Sequence, residues 1–588
     1  MRGRLWARAS ALAAACLWAA LACPLPAAAK SKPPEGATAL CRRVTLIGPR
    51  VDLNEVEKKL VCGNDQSEGW KDVPLNEAQY FMKAFLQRRG YHYPRFEAKD
   101  DALTVTVGTR TLITKLVGHG LEGLYDFGKK RLIVGQPLTP AELDQLKGDV
   151  MSRLQEQGYA CPTLTVDGDA RTGVVTVSGN PGVYYILTYI RSPEVPGLDP
   201  GVFNRFQAHQ YGEPVDARLL NLTSERITQE ALFQSAYYEM QCSTAGLHIT
   251  QRIVEAKPHL ITLDFGVDTE GYARGRAQWR DSRIGYRASS AEATLFASYR
   301  ELSFNTLMHY YLRPDDRINL EPTFLVQRSN EPQYETMEQQ AGVAPNWTWD
   351  NVRLHLDVQG GPVFEYFNTL RGLGPVNDTF FAFKTKVTVM SHLFEYYQRD
   401  PRTGWMMGFE SSSREAGAFS NISAQRLRVY GQKLWNVGNY NPPLFVVATR
   451  GWAGVISARQ DQAFTQLPPT ERFYLGGDAD VRGSGRQQLP GDGLGFLTAA
   501  YQGVELRLND VVPFKIEPLL LFDAAMAGRR SWGMDRDIYY SPGVGARWAS
   551  PFGALRFTVA RGMVARPSPQ NPTSLPHWQF FATFGTEF

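Results

Sequence analysis

Val352-Arg353-Leu354-His355-Leu356-Asp357-Val358-Gln359 alternates an apolar residue with a polar or charged one at every step. Successive side chains of a strand point to opposite faces, so this stretch presents one apolar face and one strongly polar face. Ile318, Leu320, Phe324 and Val326 alternate with Asn319, Glu321, Thr323 and Gln327, and Val504, Leu506 and Leu508 with Glu505, Arg507 and Asn509. In a soluble sandwich the polar face looks out to water. In a membrane barrel the apolar face meets lipid and the polar face lines a wet lumen.

The surrounding sequence selects the barrel. Residues 258–588 lose the helical period, and at sixteen strands they allow about 20 residues for each strand and its connection, against the roughly 9–11 needed to cross a bilayer. Tyr310-Tyr311, Trp347 with Trp349, Tyr396-Tyr397 and Tyr539-Tyr540 fall near presumed strand ends, where interfacial girdles form. Trp578, Phe580, Ala582, Phe584, Thr586 and Phe588 share one face of a closing strand. Gly360-Gly361-Pro362, Arg371 to Pro375 and Asn439 to Pro443 read as turns.

At the other end, Arg2, Arg4 and Arg8 precede an apolar stretch from about Ala9 to Leu25, and Ala27-Ala28-Ala29 precede Lys30. This is the pattern of a secretory signal peptide over residues 1–29, followed by a short linker over 30–40. A lipoprotein signal ending at Cys23 is a lesser alternative. Losing the three arginines takes the formal charge from +4 to +1, so there is no electrostatic case for nucleic acid. No later segment approaches 18 consecutive apolar residues, and entry into a membrane has to be as a barrel. Four cysteines remain: Cys41, Cys62, Cys161 and Cys242. An exported compartment permits disulfides. Cys41 with Cys62 is the favoured pair because the two bracket one short strand-helix unit. Cys161 with Cys242 is the second possibility, and free thiols remain open.

Residues 41–257 mix helical and strand patterns and repeat themselves. Leu86-Gln87-Arg88-Arg89-Gly90-Tyr91-His92-Tyr93-Pro94 is echoed by Leu154-Gln155-Glu156-Gln157-Gly158-Tyr159-Ala160-Cys161-Pro162. The first copy, 41–109, is expected to run as a strand at Val44 to Ile47, a helix capped by Asp52 through Leu60, a second helix capped by Asn76 through Arg89, then strands at Phe96 and Leu103 to Val107 meeting near Asp100-Asp101. The second, 110–181, opens at Leu112 to Val117, starts its helix at Thr139-Pro140 and closes with Leu164 and Val174 to Val177. The third, 182–257, opens at Tyr184 to Ile190, places a helix over Asp216 to Tyr238, and closes with Leu247 to Ile249 and Ile253 to Glu255.

Residues 471–495 carry Gly476-Gly477-Asp478-Ala479-Asp480-Val481-Arg482-Gly483-Ser484-Gly485, followed by Leu521-Phe522-Asp523-Ala524-Ala525 and by Ser541 to Gly553. These stretches resemble the Val-Arg-Gly loop, the acidic strand motif and the penultimate hairpin of the bacterial outer-membrane assembly and translocation barrels, the superfamily of BamA, TamA and the two-partner secretion transporters. The tandem α+β units resemble its POTRA modules, and a count of three resembles TamA. The resemblance implies α+β POTRA repeats in the periplasm before a sixteen-stranded antiparallel barrel in the outer membrane of a Gram-negative bacterium. It implies a loop built on Gly476, Gly477, Val481, Arg482 and Gly483 that turns into the barrel, with Asp523 as partner of Arg482. Ser484 stands where an aromatic is usual and Ala525 where a glycine is.

The resemblance further implies a lateral seam between the first and last barrel strands, at Leu263 and Phe265 on one side and Phe580, Phe584 and Phe588 on the other. The implied function is insertase-like assistance to unfolded barrel or autotransporter clients in contact with outer-membrane lipid, with a TamB-type inner-membrane-anchored protein as partner. The alternative is a two-partner secretion pore exporting a soluble protein. Asp478, Asp480 and Asp492 lack the ligand spacing of a calcium loop, and Ser484 lies in no Gly-x-Ser-x-Gly elbow. No enzyme site, metal or cofactor is expected.

Overall fold

The computed structural model describes residues 37–63, 73–129, 133–255, 257–398, 401–417, 419–489, 491–509, 512, 515–550, 553–567 and 577–584. The expected signal peptide, Thr586 and Phe588 lie outside the described residues. The chain forms two compact units: residues up to Val117 with Ile133–Leu146 and Val166–Thr176, and Gly118–Leu132, Lys147–Thr165 and Val177 onward.

The first unit is led by a four-stranded sheet in the order Ala37–Cys41, Val44–Ile47, Ala102–Thr106, Arg95–Lys99. Val44, Leu46, Leu103 and Val105 point from its two central strands onto Met82, Phe85 and Leu86 of the helix Leu75–Arg88. Asp100 and Asp101 make the tight turn with φ of 49° and 61°, a left-handed conformation aspartate tolerates because its carboxyl can bond locally. Two expected caps differ. Asn54, not Asp52, caps the helix Glu55–Cys62 in a reciprocal box with Glu57, and the next helix starts after Pro74 with no side-chain cap. The edge strand Ala37–Cys41 gave no usable pattern in the sequence.

A three-stranded sheet follows, ordered Lys115–His119, Val174–Asn180, Thr163–Gly168, with the helix Pro140–Gln155. Its opening strand begins three residues later than expected, because Ile113 exchanges backbone hydrogen bonds with Gln136 and Gly135 instead. In the third copy the helix is Ala217–Gln229, capped by Asp216. It is shorter than expected because Ala231 turns left-handed at φ 52°, and Tyr237 and Tyr238 belong to the strand Ser235–Ser243, which pairs with Gly246–Val254 as one hairpin. Tyr184 to Ile190 forms isolated bridges, to Tyr159 and Pro214, and no strand.

The remainder is a closed antiparallel barrel from His259–Asp268 to Trp578–Phe584. It has sixteen strand positions, since Gly553–Arg561 and Met563–Ala565 both pair with Ile538–Ser550 and are one strand interrupted at Gly562. Gly360-Gly361-Pro362, expected as a turn, lies inside the seventh strand, Leu354–Arg371. A Cβ on Gly361 would sit 2.2 Å from the Val343 carbonyl, so this glycine admits the close approach of the neighbouring strand, and the ladder skips the residues around it. Tyr396 and Tyr397 end a short helix, His392–Tyr396, at a turn, and Tyr311 and Tyr539 are buried on the inner face. At the end of the barrel opposite the third module, residues 459–489 and 491–497 fold back into the lumen. Phe473, Leu475, Val481, Leu489 and Phe496 pack there with Phe367 and Phe380 of the wall.

Candidate functional site

The inward loop is a small hairpin of its own. Phe473 exchanges backbone hydrogen bonds with Phe496, and Leu475 with Leu489. Gly476 and Gly477 turn the chain at φ of 108° and 113°, where a Cβ would be strained. Asp480 then accepts from the amides of Gly476 and Val481, and its burial pushes the carboxyl up to about 6 against the pull of those donors.

Arg482 emerges from this turn fully buried. Its Nε and Nη2 donate to Asp523 Oδ2 and Oδ1 at 2.8 and 2.7 Å, its backbone N–H reaches Oδ2 at 3.2 Å, and Nη1 donates to Glu505. The bidentate geometry fixes the guanidinium plane and supplies the compensation a buried charge requires. Although burial works against its charge, the bonds to Asp523 hold Arg482 well above the ordinary arginine range. The network continues outward: Tyr501 donates to Asp523 at 2.9 Å, Arg450 to Tyr501 at 3.1 Å, and Arg507 and Arg556 to Glu505 at 2.7 and 2.6 Å. The alternation had placed Glu505 on the inner wall, but nothing in the sequence named it, Tyr501 or Arg450 as part of the arginine site.

Gly483 serves close approach, not positive φ. Its N–H donates to Ser541 Oγ at 3.0 Å, and a Cβ there would lie 2.2 Å from the nitrogen of Gly562, at the break in the fifteenth strand. Ser484, in the place of the usual aromatic, is fully buried and accepts from the Gly477 amide through its carbonyl. Three further anchors were not anticipated. Arg486 donates to both oxygens of Glu331 at 2.8 and 2.7 Å and faces Glu270 at 3.6 Å. Glu270 occupies the turn between the first two barrel strands, and burial pushes it up to about 7 although Arg486 opposes this. Arg414 bridges Glu365 and Glu471 at 2.6 and 2.7 Å, and Arg472 donates to carbonyls of Leu373, Phe464, Leu467 and Leu494. Of the aspartates weighed for calcium, Asp480 is taken up by amides and Asp492 pairs with Arg529.

The barrel closes between its first and last strands. Its first strand pairs with the second, Tyr272–Ile284, at ten positions from His259↔Asp281 to Asp268↔Tyr272. Towards the last strand, the described residues pair at two, Val267↔Phe584 and Asp268↔Thr583, extended by Thr269 N to Ala582 O at 3.0 Å. The last strand in turn meets the fifteenth at seven positions. Leu263 and Phe265 face outward and are 61% and 77% exposed, as is Phe580 at 53%; Phe584 lies in the closure itself, and Phe588 is outside the described residues.

At the opposite end the third module is pinned to barrel turns. Arg226 of the helix Ala217–Gln229 donates to Glu395 at 2.6 Å and to Asp350 at 2.8 Å, and Arg317 joins Asp350 at 2.7 Å. Arg280 pairs with Glu230 at 2.6 Å, and Arg205 lies 3.5 Å over the Tyr311 ring. Disulfides join Cys41 to Cys62 and Cys161 to Cys242.

The family model of the Omp85 superfamily domain matches residues 373–588. Among solved structures, BamA from Haemophilus ducreyi lacking POTRA domains 1-3 is similar at 13% identity and a TM-score of 0.49, over 81% of this chain and 99% of that one. CdiB from Escherichia coli is similar at 14% identity and 0.46, over 82% and 91%, and CdiB from Acinetobacter baumannii at 13% and 0.43, over 81% and 90%. No curated protein matches the sequence.

Proposed function

We propose that this chain, whose residues 373–588 match the Omp85 superfamily domain, is an outer-membrane insertase of the TamA type, which assists the assembly of β-barrel or autotransporter clients through its lateral seam, with its three α+β modules in the periplasm. The observation that carries the reading is the closure itself, where the first and last strands meet at Val267↔Phe584 and Asp268↔Thr583 beside the outward-facing and exposed Leu263 and Phe265. A backbone hydrogen bond adds about 0.5–1.5 kcal/mol net, so each pair parted at a seam costs little. A strand edge freed there offers unpaired N–H and C=O groups to an incoming client strand, whatever its sequence. It also lets the client reach lipid with its own backbone satisfied.

The loop supports this reading over secretion. A pore through the lumen requires Arg482 to leave two carboxylates and Arg486 to leave Glu331, whereas a lateral route leaves both anchors in place. A TamB-type inner-membrane-anchored protein is the partner proposed, met through the first module or the seam. The test is a reversible lock. Cysteines at the register partners Val267 and Phe584 are expected to form a disulfide that stops client assembly in cells and releases it on reduction. Full assembly with the lock closed would overturn the seam, and continued export of a soluble protein alongside it would select the secretion pore.

A further inference from the structure

The outer face of the barrel carries a groove of about 720 Å³ across strands nine to fourteen, lined by Met407, Gly431, Gly451, Ala453, Ala500 and Ala524 among others. Registration puts these residues in adjacent rows. Met407, Gly431, Gly451, Gln502 and Ala524 follow one another across neighbouring strands, and Val429, Ala453, Ala500 and Met526 form the next row. They alternate with Arg450, Tyr501, Gly503 and Asp523, whose side faces the lumen, so the groove opens to the membrane. Met407 at 55% and Val429 at 46% exposure stand as its wall above the small residues of its floor.

The groove is polar at one end. Lys433 pairs in register with Trp405 and with Thr449, and its Nζ lies 4.8 Å over the ring of Trp435. It is four residues from the third-module end of the strand Ala424–Val437, about 10 Å along the barrel axis at the tilt of such strands. No carboxylate pairs with Lys433 among the described residues. An ammonium flanked by two tryptophans near the end of a membrane-facing strand is placed to snorkel to the headgroup layer. Further along, the Gln502 amide lies over Gly451, where a Cβ would meet its Oε1 at 2.6 Å. Its nitrogen donates to the Gly503 carbonyl at 3.2 Å, which leaves the oxygen facing the groove.

We propose that this groove binds one phospholipid of the leaflet nearest the modules, its anionic phosphate on Lys433 and Thr449 beside Trp405 and Trp435, and one acyl chain laid over Gly431, Gly451, Ala453, Ala500 and Ala524. The gradient from cation and indoles to a small apolar floor matches an amphipathic anion, and its volume is that of a ligand site. The wall holding the lipid is the same wall whose inner side holds Arg482. The inference rests on the barrel spanning a membrane and not on what the seam does.

The test is native mass spectrometry of the full chain extracted in mild detergent and exchanged with phosphatidylglycerol, alongside Lys433→Gln and the groove-filling pair Gly431→Leu with Ala453→Leu. Heat-modifiable migration on gels verifies that each variant is folded, and Lys433→Gln, an exposed position, keeps the test open if the filled variant fails. The parent is expected to retain one phospholipid through collisional activation, and Lys433→Gln to retain at least threefold less, with the filled variant retaining none. Equal retention by the parent and Lys433→Gln, no retained lipid, or a co-purifying protein in place of lipid overturns the proposal.

Discussion

Replacing Asp523 by asparagine removes the charge that holds Arg482 through two of its three guanidinium nitrogens and leaves the side-chain shape nearly unchanged. Breaking one partner of a buried ion pair costs about 3–5 kcal/mol, because the remaining charge stays desolvated. Glu505 remains in contact with Arg482, which favours the lower bound. About 3 kcal/mol is roughly 100-fold in the population of undocked loop. Ser484 reports on that population, since it is fully buried in the docked loop and Ser484→Cys exposes a thiol only on undocking. Labelling with a membrane-impermeant maleimide in intact cells follows the open fraction when opening is fast relative to reaction. The expected result is a roughly 100-fold faster reaction in Asp523→Asn. Arg482→Met with Asp523→Leu should recover much of the protection, because Glu505 keeps Arg507 and Arg556. A change below threefold in Asp523→Asn would refute the reasoning that this pair docks the loop.

The other expectations concern backbone, covalent and pH terms. Gly483→Ala puts a methyl against the fifteenth strand at Gly562, and should lower the temperature at which the barrel loses its compact gel migration. Loss of the Cys161–Cys242 bridge, which closes 81 residues, should cost about 4.5 kcal/mol by loop entropy, against about 3.3 for Cys41–Cys62 at 21 residues, read from urea unfolding of serine variants. Burial, with the Arg226 charge nearby, holds His209 down at about 4. The unfolded chain then takes the proton near the ordinary value of 6.5 while the folded chain does not. Module stability should therefore fall as pH drops from 6.5 to 4 and flatten below. Hydrogen exchange in the helix Ala217–Gln229 should rise over that window, and His209→Gln should remove the slope.

Patterns of period two made the faces of the barrel legible. Val504 and Leu506 point out and Glu505 points in, as strand geometry requires. The turn signals misled at Gly360-Gly361-Pro362 because glycine answers equally to a bend and to a close strand, and the Val343 carbonyl that decides between them is a tertiary neighbour. The helix over Asp216 to Tyr238 was overdrawn for a similar reason: the apolar spacing continues, but Ala231 turns left-handed and the following residues pair as a hairpin. The arginine and its acid were legible through resemblance. Arg226 was not, because Asp350 and Glu395 lie 124 and 169 residues away and nothing local to an arginine in a helix tells which turn it meets. Glu331, Glu270 and Glu471 escaped notice in the same way, as ordinary charges until the loop brought partners to them.

Photocrosslinking of a stalled barrel client from Leu263 and Phe580, on the two sides of the closure, against Glu505 in the lumen, tests the central claim most directly. The account expects crosslinks from both seam positions to a membrane-embedded client and none from Glu505. Crosslinks from Glu505 alone would contradict it and leave the lumen as the route.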